Sequence, residues 1–501
     1  MASNRRNGLM GVIQQHYGST TRLRSEAQLA RERWLIPNLV RFNRWILFPV
    51  AVVFQFCCGS LYAWSVYNGP IDLLIYGEDR QIAPITFYIA VGFFGISAAV
   101  MGPWLERNGP KAAGLLGSSL FLAGNLVTGL GLHLKQMWLV FLGYGVIGGF
   151  GLGLCYISPV SVLQKWFPDK RGLGSGFAVC GFGAGSIVLA LVPLPLSKQV
   201  GLALTFVILG LVFFVLMAGA SLVLRTPPPG NKVAVHEIEM TLLQSLQSRE
   251  FGIMYFMFFA NAVFGLVVIS RLSNMVRLIF GRSAAEASMV VSINGGFNLF
   301  GRLFFSVVSD FIGRKWCYLV MLTMQLIILG CFSAITESSS YRTFVCIIWV
   351  LTACYGGGFG VIPAFLTDMF GSSNIGACHG VILTAWSVAG VGGGLVFTAV
   401  FNAMLAQGYV ATDPHPYNVN VWWIFAIVLL GWVSFQFLNT DLRARLLPKA
   451  PGELLRLRFR TKLVRIMNTS PHIVTIGQAQ EDTEWQDYLA IQAISKANSN
   501  M

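Results

Sequence analysis

GPWLERNGPK at residues 102–111 and SDFIGRK at residues 309–315 are two versions of one short loop. The first opens on Gly102 and carries Glu106, Arg107, Gly109 and Lys111; the second carries Asp310, Gly313, Arg314 and Lys315. In each, an acid stands beside basic residues and a glycine-made turn. Each falls between the second and third long apolar runs of a set of six, so the pair reads as an internal repeat. Ordinary positive charge on cytoplasmic loops is the simpler reading, and the duplicated position argues against it. Physically, such a loop can lock two helices by charge pairing and release them when two bundles rock.

Twelve apolar runs surround these loops. They lie near residues 45–67, 83–103, 112–132, 138–161, 172–194 and 202–224, then 251–272, 287–308, 316–336, 343–366, 377–401 and 421–438. About 20 apolar residues at 1.5 Å each span a hydrocarbon core, and only helices or closed barrels satisfy the backbone there. The alternation of a barrel is absent. The chain is 55% hydrophobic and 11% charged, with a mean hydropathy of +0.65, which excludes three ordinary soluble domains despite its 501 residues. The predicted fold is all-α: a polytopic membrane protein with twelve helices in two six-helix bundles, residues 45–224 and 251–440. Residues 225–250 form a linker with a short surface helix in HEIEMTLLQSLQS, and residues 1–44 and 441–501 form tails.

The net charge of +14 has a membrane distribution rather than a nucleic-acid one. Eight Lys and Arg lie in residues 1–44 and nine from Arg443 onward. Loops on the side of the termini hold Arg107, Lys111, Lys165, Lys170, Arg171, Arg225, Lys232, Arg249, Arg314 and Lys315; the opposite loops hold Arg80, Lys135, Lys198, Arg277, Arg282 and Arg342. Ten against six predicts cytoplasmic termini and a cytoplasmic linker. The basic stretches RWLIPNLVRFNRW and LLRLRFRTKLVRIM read as amphipathic segments on the anionic inner leaflet. The Arg-rich first 44 residues weakly resemble a mitochondrial presequence; a plain cytoplasmic tail in a plasma-membrane protein is the expectation, with an organelle membrane left open. The polar end, GQAQEDTEWQDYLAIQAISKANSNM, reads as disordered. Nine scattered cysteines, two of them adjacent (Cys57, Cys58), show no metal-ligand spacing and read as small buried residues. Neither metal nor cofactor is expected, and six scattered His argue against a membrane enzyme.

Beyond the loops, CGSLYAWSVY (58–67), QKWFPDKRGLGSG (164–176), NGGFNLFGRLFFSVVSDFIGRK (294–315), CYGGGFGVIPAF (354–365) and GACHGVILTAWSVAGVGGG (376–394) are similar to the oxalate/formate antiporter family. That family belongs to the major facilitator superfamily and is a close relative of the monocarboxylate transporters. The resemblance covers roughly residues 42–440. It implies a solute carrier working by alternating access on a small organic anion, with protons a possible coupled ion, in the lipid bilayer and as a monomer.

Arg302 is the key residue within the membrane. Asn294, Asn298, Arg302 and Ser306 recur every four residues and form one polar stripe on the eighth run. An Arg near mid-bilayer costs about 2.5–3.5 kcal/mol on insertion scales, so it calls for a partner or a wet cavity. Its planar fork matches a carboxylate, and the resemblance implies that an Arg at this place binds the substrate carboxylate. Two departures matter. Monocarboxylate transporters place an Asp four residues before this Arg, where Asn298 stands here. Oxalate-type carriers place a Lys in the eleventh helix, where Trp386 stands here. One cation suits a monocarboxylate such as formate, lactate or pyruvate; the alternatives are an oxalate/formate-type exchanger and a non-transporting sensor.

Further candidates are Gln55 and Tyr62 on one face of the first run, with Cys58 and Ser65, and Tyr355 and Phe359, two turns and one turn before Pro363. In the resembling carriers two aromatics at these offsets close on the substrate. Plain packing is an equally good reading for Tyr62 and Tyr355, and an apolar lid is the claim for Phe359. Arg271 reads as an anchor or entrance charge at the outer end of the seventh run. His379 is either a proton carrier or a packing residue at the cytoplasmic mouth. The stretches 148–153, 180–185 and 390–394 are glycine-rich within apolar runs and read as close helix packing.

Overall fold

The computed structural model describes residues 9–18, 24–36, 38–78, 80, 82–228, 240–338, 340–441, 443, 445, 447–459 and 462–499. Residues 1–432 and 433–501 form two compact units.

Twelve helices in the described residues are long and apolar enough to cross a membrane. They are α1 (Arg44–Tyr76), α2 (Pro84–Asn108), α3 (Pro110–His133), α4 (Met137–Trp166), α5 (Arg171–Leu191) and α6 (Leu202–Val223). After residues 224–248 come α7 (Arg249–Leu278), α8 (Ala284–Ile312), α9 (Arg314–Glu337), α10 (Tyr341–Phe370), α11 (Ile375–Ala406) and α12 (His415–Gln436). All twelve runs become helices, because an unbroken apolar stretch can satisfy its backbone in lipid only internally.

Local chemistry sets the ends. α2 and α8 stop at Gly109 and Gly313, whose φ of 88° and 89° lies where only glycine is unstrained. α8 starts with a capping box, Ser283 with Glu286. α1 runs past its expected end at residue 67 and contains a 3-10 stretch, Gly59–Tyr67. There α1 crosses α5 at backbone contact: a Cβ on Gly59 would lie 2.3 Å from the Phe182 carbonyl oxygen, and one on Gly185 2.0 Å from that of Phe56. The two glycines let these backbones touch, which brings the Tyr62 ring to 4.8 Å from that of Phe182. Between the halves, α2 lies along α11 and α5 along α8.

The polar segments depart from expectation. RWLIPNLVRFNRW is a small hairpin, β1 (Trp34–Ile36) with β2 (Val40–Arg41), followed by a turn in which Arg44 grips Asp169 through two bonds of 3.0 and 3.1 Å. Of the linker helix expected in HEIEMTLLQSLQS, the structure gives Leu242–Gln247; residues 236–239 of that stretch lie outside the described residues.

The second unit corrects the disordered C-terminal tail. β3 (Glu453–Phe459), β4 (Lys462–Met467) and β5 (Ile473–Ile476) form an antiparallel sheet, with Arg456 opposite Arg465 and Val464 opposite Thr475, and helix α13 (Gln478–Ser499) follows. LLRLRFRTKLVRIM therefore contributes two paired strands. Its Leu–Arg alternation has the period of a strand, and its register buries Leu463 with Ile476. The strand arginines are held by acids: Arg456 and Arg465 on Glu453, and Arg465 on Glu484. Burial acts to raise the Glu453 carboxyl, but hydrogen bonds from Arg456 and the Ala450 N–H, with the charge of Arg465, hold it below the usual carboxylate value.

Candidate functional site

Arg302 sits at the centre, 1% exposed. Its Nε donates to Asn298 Oδ1 at 2.9 Å, one helical turn back, and NH1 donates to the Val179 carbonyl of α5 at 3.1 Å. The guanidinium lies over two rings, Phe359 of α10 at 4.8 Å and Phe182 of α5 at 5.3 Å. Neither hydrogen-bond partner is charged, and no carboxylate pairs with Arg302 among the described residues. The positive charge is thus buried, oriented by neutral oxygens, stacked on aromatic faces and without a counter-ion.

Three helices close over this charge. Tyr62 Oη of α1 lies 2.7 Å from Tyr355 Oη of α10, and the Trp386 indole N–H of α11 donates to the same Tyr355 oxygen at 3.0 Å. This chain joins the first half to the second. The Trp386 ring packs against Phe94 at 5.1 Å and Phe359 at 6.1 Å. Trp386 is thus a buried apolar wall with one hydrogen-bond donor. Phe359, expected as a lid, lies on the guanidinium itself. Asn298 is brought to Arg302 as the spacing implied.

Gln55 is fully buried and faces α4, donating to the Tyr156 carbonyl at 2.9 Å, while its Oε1 has no partner. The Tyr156 ring lies 5.7 Å from Phe182 and 5.9 Å from His379. His379, one turn past Gly376, is fully buried, and both ring nitrogens lack a hydrogen-bond partner among the described residues. Arg271 donates to Thr398 at 2.9 Å, fastening α7 to α11. Phe182, Tyr156 and Phe94 escaped the sequence reading, since aromatics in apolar helices carry no periodic signal of their own.

At the end bearing the two repeated loops, each acid caps the fifth helix of the opposite half. Glu106, nearly buried at the end of α2, accepts the Gly376 N–H in the first turn of α11 at 2.7 Å. It also accepts from Ser161 at 3.1 Å and pairs with Lys165. Asp310, at the end of α8, accepts the Gly172 and Leu173 N–H groups in the first turn of α5 at 3.0 and 3.3 Å. A carboxylate at a helix N-terminus meets orphan donors and the positive end of the dipole. Asp310 also pairs with Arg314 at 2.6 Å; Asp368 pairs with Arg314 at 3.0 Å and with Arg171 at 2.7 Å. Asp368 has no counterpart in the repeat, which is why the spacing did not mark it. Gly102 allows the crossing of α2 and α11: a Cβ there would lie 2.7 Å from the Ala377 Cα. Arg107 donates to the carbonyl oxygen of His16 at 2.7 Å.

The Major Facilitator Superfamily model matches residues 52–394, which include every residue around Arg302. The uncharacterized MFS-type transporter YhjX of Escherichia coli is 27% identical over 71% of this chain and 88% of its own length. The oxalate:formate antiporter of Oxalobacter formigenes is 27% identical over 70% and 84%. Apicoplast pyruvate carrier 1 of Toxoplasma gondii is 23% identical over 62% and 69%. Among solved structures, a bacterial homologue of the iron transporter ferroportin in an outward-facing state superposes with a TM-score of 0.58 at 16% identity, covering 78% of this chain and 98% of that one. The twelve helices, the repeated loops and the family match agree: the chain belongs to the Major Facilitator Superfamily and is a multi-pass integral membrane transporter.

Proposed function

We propose that this transporter carries small organic monoanions, of the formate, lactate or pyruvate type, with Arg302 as the carboxylate anchor. One observation carries the reading: a guanidinium buried among Asn298, Val179, Phe182 and Phe359 with no carboxylate beside it among the described residues. Burying an uncompensated charge costs several kcal/mol, on the order of the penalty for breaking a buried ion pair, and a bound carboxylate removes that penalty. Tyr62, Tyr355, Gln55 and the Trp386 N–H supply neutral hydrogen-bonding groups around the anion, and Phe359 keeps water off the charge.

The two halves, residues 45–224 and 251–440, rock about this site. The Tyr62–Tyr355–Trp386 chain closes one side, and the Glu106 and Asp310 caps with Arg314 close the other. Gly102 and Gly313 set the contacts of those loops, and Arg107 holds the segment before α1. Both termini and the 225–250 linker face the cytoplasm, and the protein works as a monomer in the plasma membrane. Asn298 cannot titrate, so the Asn298–Arg302 pair carries no proton. Transport is then anion exchange, or symport with the proton carried elsewhere, His379 being buried with both nitrogens unpartnered.

The likeness to an oxalate:formate antiporter favours a second reading, dicarboxylate exchange. Counterflow of labelled formate, lactate, pyruvate and oxalate into proteoliposomes separates the two. The monoanion reading expects the three monocarboxylates to exchange faster than oxalate. Oxalate carried best would overturn it.

A further inference from the structure

The segment ahead of α1 is docked. Helix Leu9–Gly18 ends in His16 and Tyr17, and both reach α2 at the turn above Pro103. Proline has no N–H, so Pro103 leaves the carbonyl of Ala99 without its helical donor. The Tyr17 hydroxyl donates to that oxygen at 3.0 Å. His16 Nε2 lies 2.7 Å from the neighbouring Val100 carbonyl. Because Nε2 must donate there, Nδ1 is the acceptor, and the Arg107 guanidinium meets it at 3.1 Å while donating to the His16 carbonyl at 2.7 Å. Pro103, the carbonyl it leaves without a donor and Arg107 together form a receptor fitted to these two residues.

The same short helix also packs on helix Leu242–Gln247. That element is fastened to the second half: Met240 N–H donates to the Phe370 carbonyl at 3.4 Å, and the Asn374 amide donates to the Met240 carbonyl at 3.1 Å. Phe370 ends α10 and Asn374 precedes α11. The helix therefore touches α2 of the first half and a piece tied to α10 and α11 of the second, at the end where Glu106 caps α11.

We infer that residues 9–18 are a strap that bridges the two halves and biases the transporter towards the state in which this end is shut. The docking site is occupied by the chain's own N-terminal segment. For this end to open, the strap must leave either α2 or the 242–247 helix. Cys378, buried in α11 just past Gly376, reports that opening, while Cys354 in the middle of α10 reports loss of the fold.

The test is maleimide labelling of the full-length protein in phosphatidylcholine–phosphatidylglycerol vesicles, with modified peptides quantified against time. Tyr17→Phe deletes one hydroxyl at a half-buried site and leaves the packing in place. It is expected to speed labelling of Cys378 by about fivefold, the population shift of one ordinary hydrogen bond, with Cys354 still protected. A chain lacking residues 1–18 is expected to label Cys378 at least as fast, again with Cys354 protected. An unchanged Cys378 rate in both variants overturns the strap. Cys354 rising in step with Cys378 also overturns it, because the segment would then be part of the fold rather than a bias on one end.

Discussion

Glu106→Gln isolates what the cap on α11 contributes to the alternation between states. In the shut state the Glu106 carboxylate accepts the Gly376 N–H across the halves at 2.7 Å, and Ser161 and Lys165 hold it from within its own half. The ion pair with Lys165 joins α2 to α4, so it travels with that half, and its loss weighs on both states. Only the bond to Gly376 and the dipole of α11 distinguish them. A hydrogen bond to a charged group is worth about 1.5–3 kcal/mol and a neutral one about 0.5–1.5 kcal/mol, and glutamine retains the neutral bond. Adding about 0.5 kcal/mol for the lost interaction with the helix dipole, the shut state loses about 1.5–2 kcal/mol relative to the open one. That is a shift of about 10- to 30-fold in their ratio. Counterflow should then show turnover falling several-fold, by more than the half-saturation concentration rises, and Cys378 should label faster in the membrane. Ser161→Ala, which removes a contact inside one half, should leave the labelling rate near wild type. A Glu106→Gln protein with normal turnover and a defect only in half-saturation would refute the reasoning, since the cap would then act on the substrate rather than on the rocking step.

Other expectations follow from the same contacts. Asp310→Asn should behave as Glu106→Gln does, because Asp310 caps α5 from the other half; a larger change in affinity than in turnover would count against the paired arrangement. Trp386→Lys should move the preference in counterflow from monoanions towards oxalate, since it sets a second cation near Arg302, and an unchanged ratio would show that the wall at Trp386 does not select charge. In the C-terminal unit the Glu453 carboxyl is held below its ordinary value, so it stabilises the sheet above that value and the stabilisation is lost as the pH falls through and below about 4.5. Protection factors of the residue 453–476 amides, taken against the intrinsic exchange rate at each pH, should fall on acidification in wild type and be low already at neutral pH in Glu453→Gln; equal acid sensitivity in both would remove Glu453 as the cause. Cysteine labels placed at residue 30 and residue 470 should react from the same side of sealed membrane vesicles, and labels reacting from opposite sides would overturn the topology.

The helices were legible because apolar runs of membrane length have one backbone solution, and Arg302 because a lone cation in such a run is expensive. Asn298 followed from the four-residue spacing. What lay hidden depended on distant partners: Phe182 lines the guanidinium where α5 packs closely along α8, a Cβ on Gly183 lying 3.2 Å from the Leu299 Cα and one on Gly176 3.0 Å from the Ser306 Cβ, and Asp368 joins Arg314 and Arg171 from a helix end with no repeat to mark it. Arg107 was legible as a loop charge, but not its bonds to His16, which lies in a segment that reads as a plain tail. The C-terminal hairpin was missed although its alternating leucines and arginines have the two-residue period of a strand; basic and apolar residues in that proportion also suit a leaflet-bound helix. The Glu453 ion pairs that hold the sheet are not visible in composition.

The central claim is that an anion's carboxylate completes the buried charge of Arg302. Its most direct test is counterflow of labelled monocarboxylates into proteoliposomes holding equal amounts of wild type, Arg302→Gln and Arg302→Lys. Wild type should exchange, Arg302→Gln should not while still inserting and folding, and Arg302→Lys should recover only a small part of the rate because a point charge lacks the planar fork. Exchange at the normal rate by Arg302→Gln would contradict the claim.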